Sequence, residues 1–216
     1  MIRLFDILFS ILGIIILLPV LIIIYILIIA ESKGGGFYIQ KRVGKDGIDF
    51  NLLKFRSMHV GSDRQGLITV RAIDARMTRM GVFIRRFKLD ELPQLFNVLI
   101  GDMSLVGPRP ELRAFVALYN SEQLEVLSVR PGITDYASIE YVDENSILGS
   151  AIDPEKVYVE QIMPDKIRLN MRYIQNQNVK EYFHIIFVTI WHIVKKNKLT
   201  KETIKSENSG HKNRLK

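Results

Sequence analysis

The sequence predicts a mostly helical protein of the α+β class whose N-terminal segment is embedded in a membrane. Residues 7–30 carry no charge and are almost wholly apolar. Residues 37–56 are rich in strand-forming side chains around a short loop that contains two glycines. Most of the remaining chain has a helical pattern, in residues 90–99, 111–127, 155–178 and 180–196.

The composition limits the classes of partner. At 216 residues, the chain has the usual size of one domain with a substantial core. Its formal net charge of +7 predicts an anionic partner such as a nucleotide or a lipid head group. We do not expect nucleic acid, because no recognised binding module accompanies the charge and the apolar segment points to a membrane. The chain has no cysteine, which excludes disulfides and thiolate metal sites.

Residues 7–30 are long enough to cross a hydrocarbon core, which requires roughly 20 apolar residues. Pro19 at their centre removes a backbone hydrogen bond and disfavours a helical Leu18, so we expect a bend. Two arrangements remain open: a kinked helix that spans the bilayer, and a helix that breaks at Pro19 and returns to its starting side. The cations that follow place the next part of the chain on the cytoplasmic side: Lys33, Lys41, Arg42 and Lys45.

The two strand-forming segments, residues 37–43 and 48–56, predict a β-hairpin around Gly44 and Gly47. The preceding glycines, residues 34–36, predict a flexible joint between this hairpin and the membrane segment. They match no phosphate-binding loop pattern.

Residues 89–111 read LDELPQLFNVLIGDMSLVGPRPE and place two adjacent carboxylates, Asp90 and Glu91, before an apolar run. Proline is tolerated in the first turn of a helix, so Pro93 is compatible with a helix that begins near Asp90. A helix N-terminus favours a carboxylate and equally a phosphate. The residues alone leave two interpretations: an ordinary helix cap followed by a rigid connector at residues 107–110, or a site where a carboxylate meets a phosphate.

Residues 89–111 resemble the signature of the bacterial sugar transferases, the small monotopic phosphoglycosyl transferases, almost without interruption. Weaker similarity extends from the N-terminus to about Lys198 and includes LLKFRSM at 52–58 and RPGIT at 130–134. The resemblance implies an enzyme that moves a sugar 1-phosphate from a UDP-sugar to undecaprenyl (polyprenol) phosphate. It further implies exopolysaccharide or other surface-glycan biosynthesis at the cytoplasmic face of the bacterial inner membrane, and a re-entrant N-terminal helix that breaks at Pro19.

In such an enzyme Asp90 is the nucleophile, which forms a covalent phosphosugar and releases UMP. Glu91 is the second catalytic carboxylate, and three roles remain open for it: metal ligand, group that raises the proton affinity of Asp90, or base toward the lipid phosphate. Mg²⁺, bound by Asp90 and phosphate oxygens, is the implied cofactor.

Five cations are expected at the substrate phosphates: Lys54, Arg56, Arg85, Arg109 and Arg130. Pro108 and Pro110 would fix the backbone on either side of Arg109. For Arg56, a cationic surface that contacts anionic lipid is as good an interpretation as a phosphate contact. For Arg130, a solvated position in a turn is equally good. After RPGIT the family usually continues Gly-Trp-Ala-Gln, whereas this chain has DYAS at residues 135–138, which we interpret as a subgroup difference.

Residues 180–196 are apolar on most faces but have too few uncharged positions to span a bilayer. Trp191 and the flanking lysines favour a helix that lies in the membrane interface, and a buried core helix is the alternative. The expected organisation is a membrane helix at 1–32, a catalytic domain at 33–198 and a basic disordered tail at 199–216.

A function from a different class would be a non-catalytic basic membrane adaptor for glycan-assembly machinery. It accounts for the charge and the apolar segment. It leaves the adjacent Asp90 and Glu91 unexplained.

Overall fold

The structure, a computed structural model, describes residues 1–62, 75–193 and 195. The predicted tail at 199–216 lies outside the described residues, as do residues 63–74. The class is α+β and mostly helical, as predicted. The helices are α1 (Ile2–Glu31), α2 (Arg79–Arg86), α3 (Gln94–Ile100), α4 (Arg113–Val116), α5 (Tyr136–Glu140), α6 (Glu144–Gly149), α7 (Pro154–Val157), α8 (Met163–Gln175) and α9 (179–193). The strands are β1 (Phe37–Val43), β2 (Asp49–Phe55), β3 (Ser104–Val106) and β4 (Gly132–Thr134).

The membrane segment forms one helix of 30 residues, α1, which is long and apolar enough to cross a bilayer. The helix continues through Pro19, so the predicted break at that residue is not confirmed. Its domain-facing residues recur at helical spacing, since Asp6, Ser10, Leu21, Ile24 and Ile28 are buried. One face of α1 therefore contacts the rest of the protein along most of its length, while the exposed face consists largely of isoleucine and leucine.

Both ends of α1 are tied to the same domain. Near its start, Arg3 donates hydrogen bonds to the carbonyl oxygens of Val98 (2.5 Å) and Leu99 (2.9 Å). At its end, the carboxylate of Glu31 accepts the backbone N–H groups of Arg79 (2.7 Å) and Met80 (2.8 Å). Polar contacts with one domain thus hold the first and the last turn of the helix.

Asp6 is the most buried acidic side chain on α1, at 2% exposure. Its Oδ1 accepts hydrogen bonds from the Ser104 hydroxyl (2.9 Å), the Leu105 N–H (2.9 Å) and the Tyr182 hydroxyl (3.0 Å). A buried carboxylate is stable only when its lone pairs are used in this way. Asp6 therefore connects α1 to β3 and α9 at one point.

The predicted hairpin is confirmed, because β1 and β2 pair antiparallel with Tyr38 opposite Lys54. The side chain of Asn97 joins α3 to β2 by accepting the Leu53 N–H (2.9 Å) and donating to the Asn51 carbonyl (2.8 Å). These bonds fix the strand that carries Lys54 against α3.

The sequence did not predict the short parallel pair of β3 and β4. The two strands approach so closely at Gly107 and Gly132 that a Cβ on Gly132 would lie 2.1 Å from the Gly107 nitrogen. Only glycine permits that approach. Hydrogen bonds from Gly107 N–H to Thr134 O (3.0 Å) and from Gly132 N–H to Pro108 O (2.9 Å) then hold the GPRP turn against β4.

The helical prediction for residues 111–127 was too long. The structure has only α4 and a separate 3-10 segment, Gln123–Ser128. Asn120 and Gln123 exchange side-chain-to-backbone hydrogen bonds of 2.8 and 3.0 Å, which stabilise a turn in place of a continuous helix. The helix predicted at 155–178 is observed as α7 and α8 joined by a π-helical turn, Tyr158–Ile162.

Helix α9 is amphipathic. Tyr182 and Ile185 are fully buried against the domain, whereas Phe187, Ile190 and Trp191 are exposed. The predicted interfacial helix and the alternative core helix each describe one face of it.

We expect Asp6→Ala to lower the free energy of unfolding by about 2–3 kcal/mol, because it leaves buried donors on Ser104, Leu105 and Tyr182 unpaired. Asp6→Asn keeps an acceptor oxygen and should lose clearly less. Denaturant unfolding in detergent micelles measures both variants. An unchanged stability of Asp6→Ala would show that Asp6 does not hold α1 to the domain.

Candidate active site

The two adjacent carboxylates, Asp90 and Glu91, lie in a tight turn between α2 and α3. After α2, Lys88 adopts a left-handed conformation (φ 54°, ψ 25°), which is uncommon for a residue with a side chain and reverses the chain. A 3-10 turn, Leu89–Glu91, follows, and α3 begins only at Gln94. The sequence placed the helix start near Asp90. The structure instead puts the tighter turn first and leaves Pro93, which lacks an N–H, at the junction.

Glu91 is the centre of a half-buried ion cluster. The guanidinium of Arg109 contacts both carboxylate oxygens of Glu91, one of them at 3.1 Å. The Lys54 ammonium lies 3.8 Å from Oε1. Burial alone would raise the pKa of Glu91, but the charges of Arg109 and Lys54 outweigh it and hold that pKa well below its usual value. Glu91 therefore stays ionised and bound to Arg109.

At Lys54, burial lowers the pKa to about 8, although the charge of Glu91 favours the protonated form. The paired charge of Glu91 raises the pKa of Arg109 above its already high value. The two cations therefore differ, since only Lys54 titrates near neutral pH.

Asp90 is the other carboxylate of the pair and is 8% exposed. Burial raises its pKa above the ordinary value for aspartate, and the negative charge of Glu91 acts in the same direction. Lys54, Arg85 and Arg109 oppose this rise. The two adjacent carboxylates therefore differ in proton affinity: Glu91 is a tightly paired anion, and Asp90 is a more basic carboxylate close to several cations.

Arg85 lies on α2, whose position depends on a close approach at Gly81. A Cβ on Gly81 would lie 1.8 Å from the Ser57 carbonyl oxygen, so only glycine lets α2 pack this closely on the chain after β2. The Arg85 Nε donates to the Ser57 hydroxyl at 2.9 Å. Ser57 was not among the sequence predictions, although it belongs to the LLKFRSM segment.

Arg109 is held by its backbone as well as by Glu91. Its N–H donates to Asp135 Oδ2 at 2.8 Å, and Asn170 donates to the same oxygen at 3.0 Å. The neighbouring Pro110 carbonyl accepts a hydrogen bond from Arg42 at 3.1 Å. Asp135 is 1% exposed and also caps α5, so the departure from the family's usual residues at 135–138 places a carboxylate directly behind Arg109.

Two of the predicted phosphate contacts lie elsewhere. The Arg56 guanidinium donates to the carbonyl oxygens of Ser32 (2.9 Å) and Lys33 (2.5 Å), where it satisfies the C-terminal end of α1. The Arg130 Nε donates to the Gly101 carbonyl (2.9 Å) at the far end of α3. The structure therefore brings Lys54, Arg85, Arg109, Glu91 and Asp90 together and does not bring Arg56 and Arg130 to them.

The carboxylates of the site fit Mg²⁺ only together with ligands from a substrate. In the described ranges 1–62 and 75–193, no three His, Asp or Glu side chains lie close enough to hold a metal ion by themselves. Mg²⁺ commonly uses only one or two protein carboxylates and takes its other ligands from substrate phosphates and water. Asp90 fits that role, whereas both oxygens of Glu91 already contact Arg109.

Four residues that support the site were not predicted as site residues from the sequence: Ser57, Asn97, Asp135 and Asn170. Each of them acts through another side chain or through the backbone. Asp135 gave a signal, because it departs from the family pattern. Asn170 lies on α8 in a stretch that reads as an ordinary polar helix.

Comparison with known proteins agrees with this geometry. The family model of the bacterial sugar transferases matches residues 1–196. A putative undecaprenyl-phosphate N-acetylgalactosaminyl 1-phosphate transferase of Bacillus subtilis is 48% identical over 120 residues, which cover 56% of this chain and 67% of that protein. The UDP-N-acetylgalactosamine-undecaprenyl-phosphate N-acetylgalactosaminephosphotransferase of Aeromonas hydrophila is 38% identical over 188 residues, 86% of this chain and 41% of that protein.

The exopolysaccharide production protein ExoY of Sinorhizobium fredii is 32% identical over 203 residues, which cover 87% of this chain and 83% of that protein. Some relatives are much longer, and the chain spans only about two fifths of the Aeromonas protein. The matched region includes every residue of the Asp90–Glu91 site and the whole of α1. The chain belongs to the bacterial sugar transferase family.

Proposed function

We propose that this protein transfers a sugar 1-phosphate from a UDP-sugar to undecaprenyl phosphate or another polyprenol phosphate and releases UMP. The reaction would be the first membrane step of a surface-glycan or exopolysaccharide pathway. The observation that carries the proposal is the division of roles between the two adjacent carboxylates: Arg109 and Lys54 pair with Glu91, and the buried Asp90 has a raised pKa beside them. The names of the relatives describe the same general reaction.

The chemistry proceeds in two displacements. A carboxylate oxygen of Asp90 attacks the phosphorus that bears the sugar, the bond from that phosphorus to the bridging oxygen breaks, and UMP leaves with the electron pair. The result is an acyl phosphate that joins Asp90 to the sugar. An oxygen of the lipid phosphate then attacks the same phosphorus, and the Asp90 carboxylate leaves. Covalent catalysis divides one difficult transfer between two anions into two easier steps.

The cations counter the repulsion between anions in each step. Arg109 presents a planar guanidinium, held at its side chain by Glu91 and at its backbone by Asp135, to the developing phosphoryl charge. Lys54 and Arg85 add positive charge on the side of β2 and α2. Mg²⁺ held by Asp90 and phosphate oxygens would supply further charge neutralisation.

Among the three roles left open for Glu91, the geometry favours an electrostatic one. Its pKa is held below the usual value, so it is a weak base, and Arg109 occupies both oxygens that a metal would need. Glu91 raises the pKa of Asp90 and holds Arg109 in place. We therefore assign it as a positioning residue.

The membrane arrangement follows from the contacts of α1. One polar domain holds Arg3 and Asp6 at the start of the helix and Glu31 at its end. If α1 crossed the bilayer, that domain would have to lie on both sides. We propose that both ends lie on the cytoplasmic side and that the exposed apolar face of α1 enters one leaflet. Phe5 of α1 stacks edge-on with Phe183 of α9, at 5.0 Å between ring centroids, so the two helices share one apolar surface.

The adaptor alternative explains the same membrane contacts. It gives no reason for the half-buried cluster of Glu91, Arg109 and Lys54 beside the buried Asp90, because removing charges from water costs free energy that their pairing need not recover. Family membership also favours the enzyme.

Asp90→Asn should abolish formation of lipid-linked sugar, because an amide cannot form the acyl phosphate. The measurement is incubation of the purified protein with a radiolabelled UDP-sugar and undecaprenyl phosphate. Asp102→Asn, at another aspartate of residues 89–111, is the control and should keep activity within a few-fold. Turnover of Asp90→Asn at the wild-type rate would remove Asp90 from the mechanism.

The nucleotide released by the wild-type protein should be UMP, identified by chromatography of the same reactions. UDP as the product would mean that the sugar alone is transferred, without its phosphate.

The pH profile of kcat/KM should fall on both sides of neutral. On the acidic side activity declines as Asp90 is protonated, at a pH above the ordinary aspartate value because its pKa is raised. On the alkaline side it declines near pH 8, where Lys54 loses its proton. Lys54→Arg keeps a charged side chain at that pH and should extend activity to higher pH. An alkaline limb that does not move in Lys54→Arg would assign it to another group.

Cysteine labelling tests the membrane topology of α1. The chain has no native cysteine, so only the introduced cysteines of this protein can react. A cysteine placed in a short extension before Met1 and one introduced by Lys33→Cys should both react with an impermeant maleimide in inverted membrane vesicles. Neither should react in right-side-out vesicles. Reaction of the two cysteines from opposite sides would mean that α1 spans the membrane.

A further inference from the structure

A polar cavity lies at the start of α1, away from the site around Asp90 and Glu91. Its volume is about 510 Å³, within the range of small-ligand sites. Three cations line it: Arg3 of α1, Lys45 of the hairpin loop and Arg130 before β4. The hydroxyl-bearing residues Ser104 and Ser128 also belong to the wall.

The charge balance of the cavity favours an anion. The single carboxylate in its wall is Asp6, and the Oδ1 of Asp6 already accepts three hydrogen bonds from Ser104, Leu105 and Tyr182. The guanidinium groups of Arg3 and Arg130 each donate hydrogen bonds to carbonyl oxygens at the end of α3, and Arg130 remains exposed. Lys45 is exposed as well. The wall therefore carries an excess of positive charge with donors left for a ligand.

The beginning of α9 adds backbone donors. Gln177, Asn178 and Val179 line the cavity, and α9 starts at residue 179. Asn178 caps the helix by accepting the Glu181 N–H at 2.9 Å. The first N–H groups of this 15-residue helix have no acceptor within the helix, and the helix dipole favours an anion at this end.

The cavity is separate from the Asp90 site. Arg130 contacts the carbonyl of Gly101, ten residues after Glu91, and α3 lies between the two positions. The seven residues of α3 alone separate the two positions by about 10 Å, at 1.5 Å per helical residue. A phosphate bound to Arg130 is therefore not the phosphate that reacts with Asp90.

We propose that this cavity is a second phosphate-binding site, formed by Arg3, Lys45, Arg130 and the start of α9. The bound group is a phosphomonoester, either on a lipid or on a soluble nucleotide. Both sources are consistent with a cavity beside the first turn of the membrane helix, which lies at the height of lipid head groups. Two arginines and a lysine around a helix N-terminus supply the charge-assisted hydrogen bonds that a phosphate requires.

Hydrogen exchange of the full-length protein in phosphatidylcholine nanodiscs gives a local readout, at amides 127–132 and 176–182. One arm adds UMP, and the other uses nanodiscs that contain phosphatidic acid. Exchange at both segments should slow in the wild-type protein. In Lys45→Gln/Arg130→Gln the half-saturating concentration should rise at least tenfold. The control, Lys41→Gln/Lys156→Gln, removes the same charge from exposed positions outside the cavity and should behave as wild type.

Protection by both probes supports a general phosphate site, and protection by phosphatidic acid alone supports a lipid head-group site. Lys45→Gln alone changes only an exposed loop side chain and should raise the half-saturating concentration about threefold, which keeps the test valid if the double variant unfolds. Protection should persist in Asp90→Asn, so failure of the transferase mechanism is distinguishable from failure of this site. No protection by either probe, or an unchanged response in Lys45→Gln/Arg130→Gln, would overturn the proposal.

Discussion

The contact between Glu91 and Arg109 is the interaction on which the site depends. Burial would otherwise drive Glu91 toward its neutral form, and the guanidinium prevents this by contacting both oxygens. The same contact fixes Arg109 beside Asp90. Burial is the main cause of the raised pKa of Asp90, the charge of Glu91 adds to it, and the charge of Arg109 opposes it.

The rest of the fold serves to hold the partners of this contact. Asn97 joins β2, with Lys54, to α3. The glycine contact between β3 and β4 fixes the turn that carries Arg109, and Asp135 accepts its N–H from behind. Asp6 ties α1 to β3, so the apolar helix and the site share one rigid support. The elements that set the geometry of the site therefore also fix its position relative to α1.

Local patterns predicted the hairpin, the long apolar helix and the helical segment at 155–178, because strand propensity, length and period are properties of short segments. They did not predict the β3–β4 pair, in which three-residue strands meet across a separation of almost 30 residues. The motif at 89–111 located Asp90, Glu91 and Arg109. Sequence spacing could not show that Arg56 caps α1 or that Arg130 lies at the far end of α3, since both depend on tertiary packing.

The most direct test of the central claim is to trap the intermediate. The protein is mixed with a UDP-sugar in the absence of any polyprenol phosphate, quenched, and digested for mass spectrometry. The account predicts that the peptide containing Asp90 gains the mass of the sugar phosphate, and that Asp90→Asn gains none. A sugar phosphate found on another residue, or no covalent adduct in a preparation that turns over fully once polyprenol phosphate is added, would contradict it.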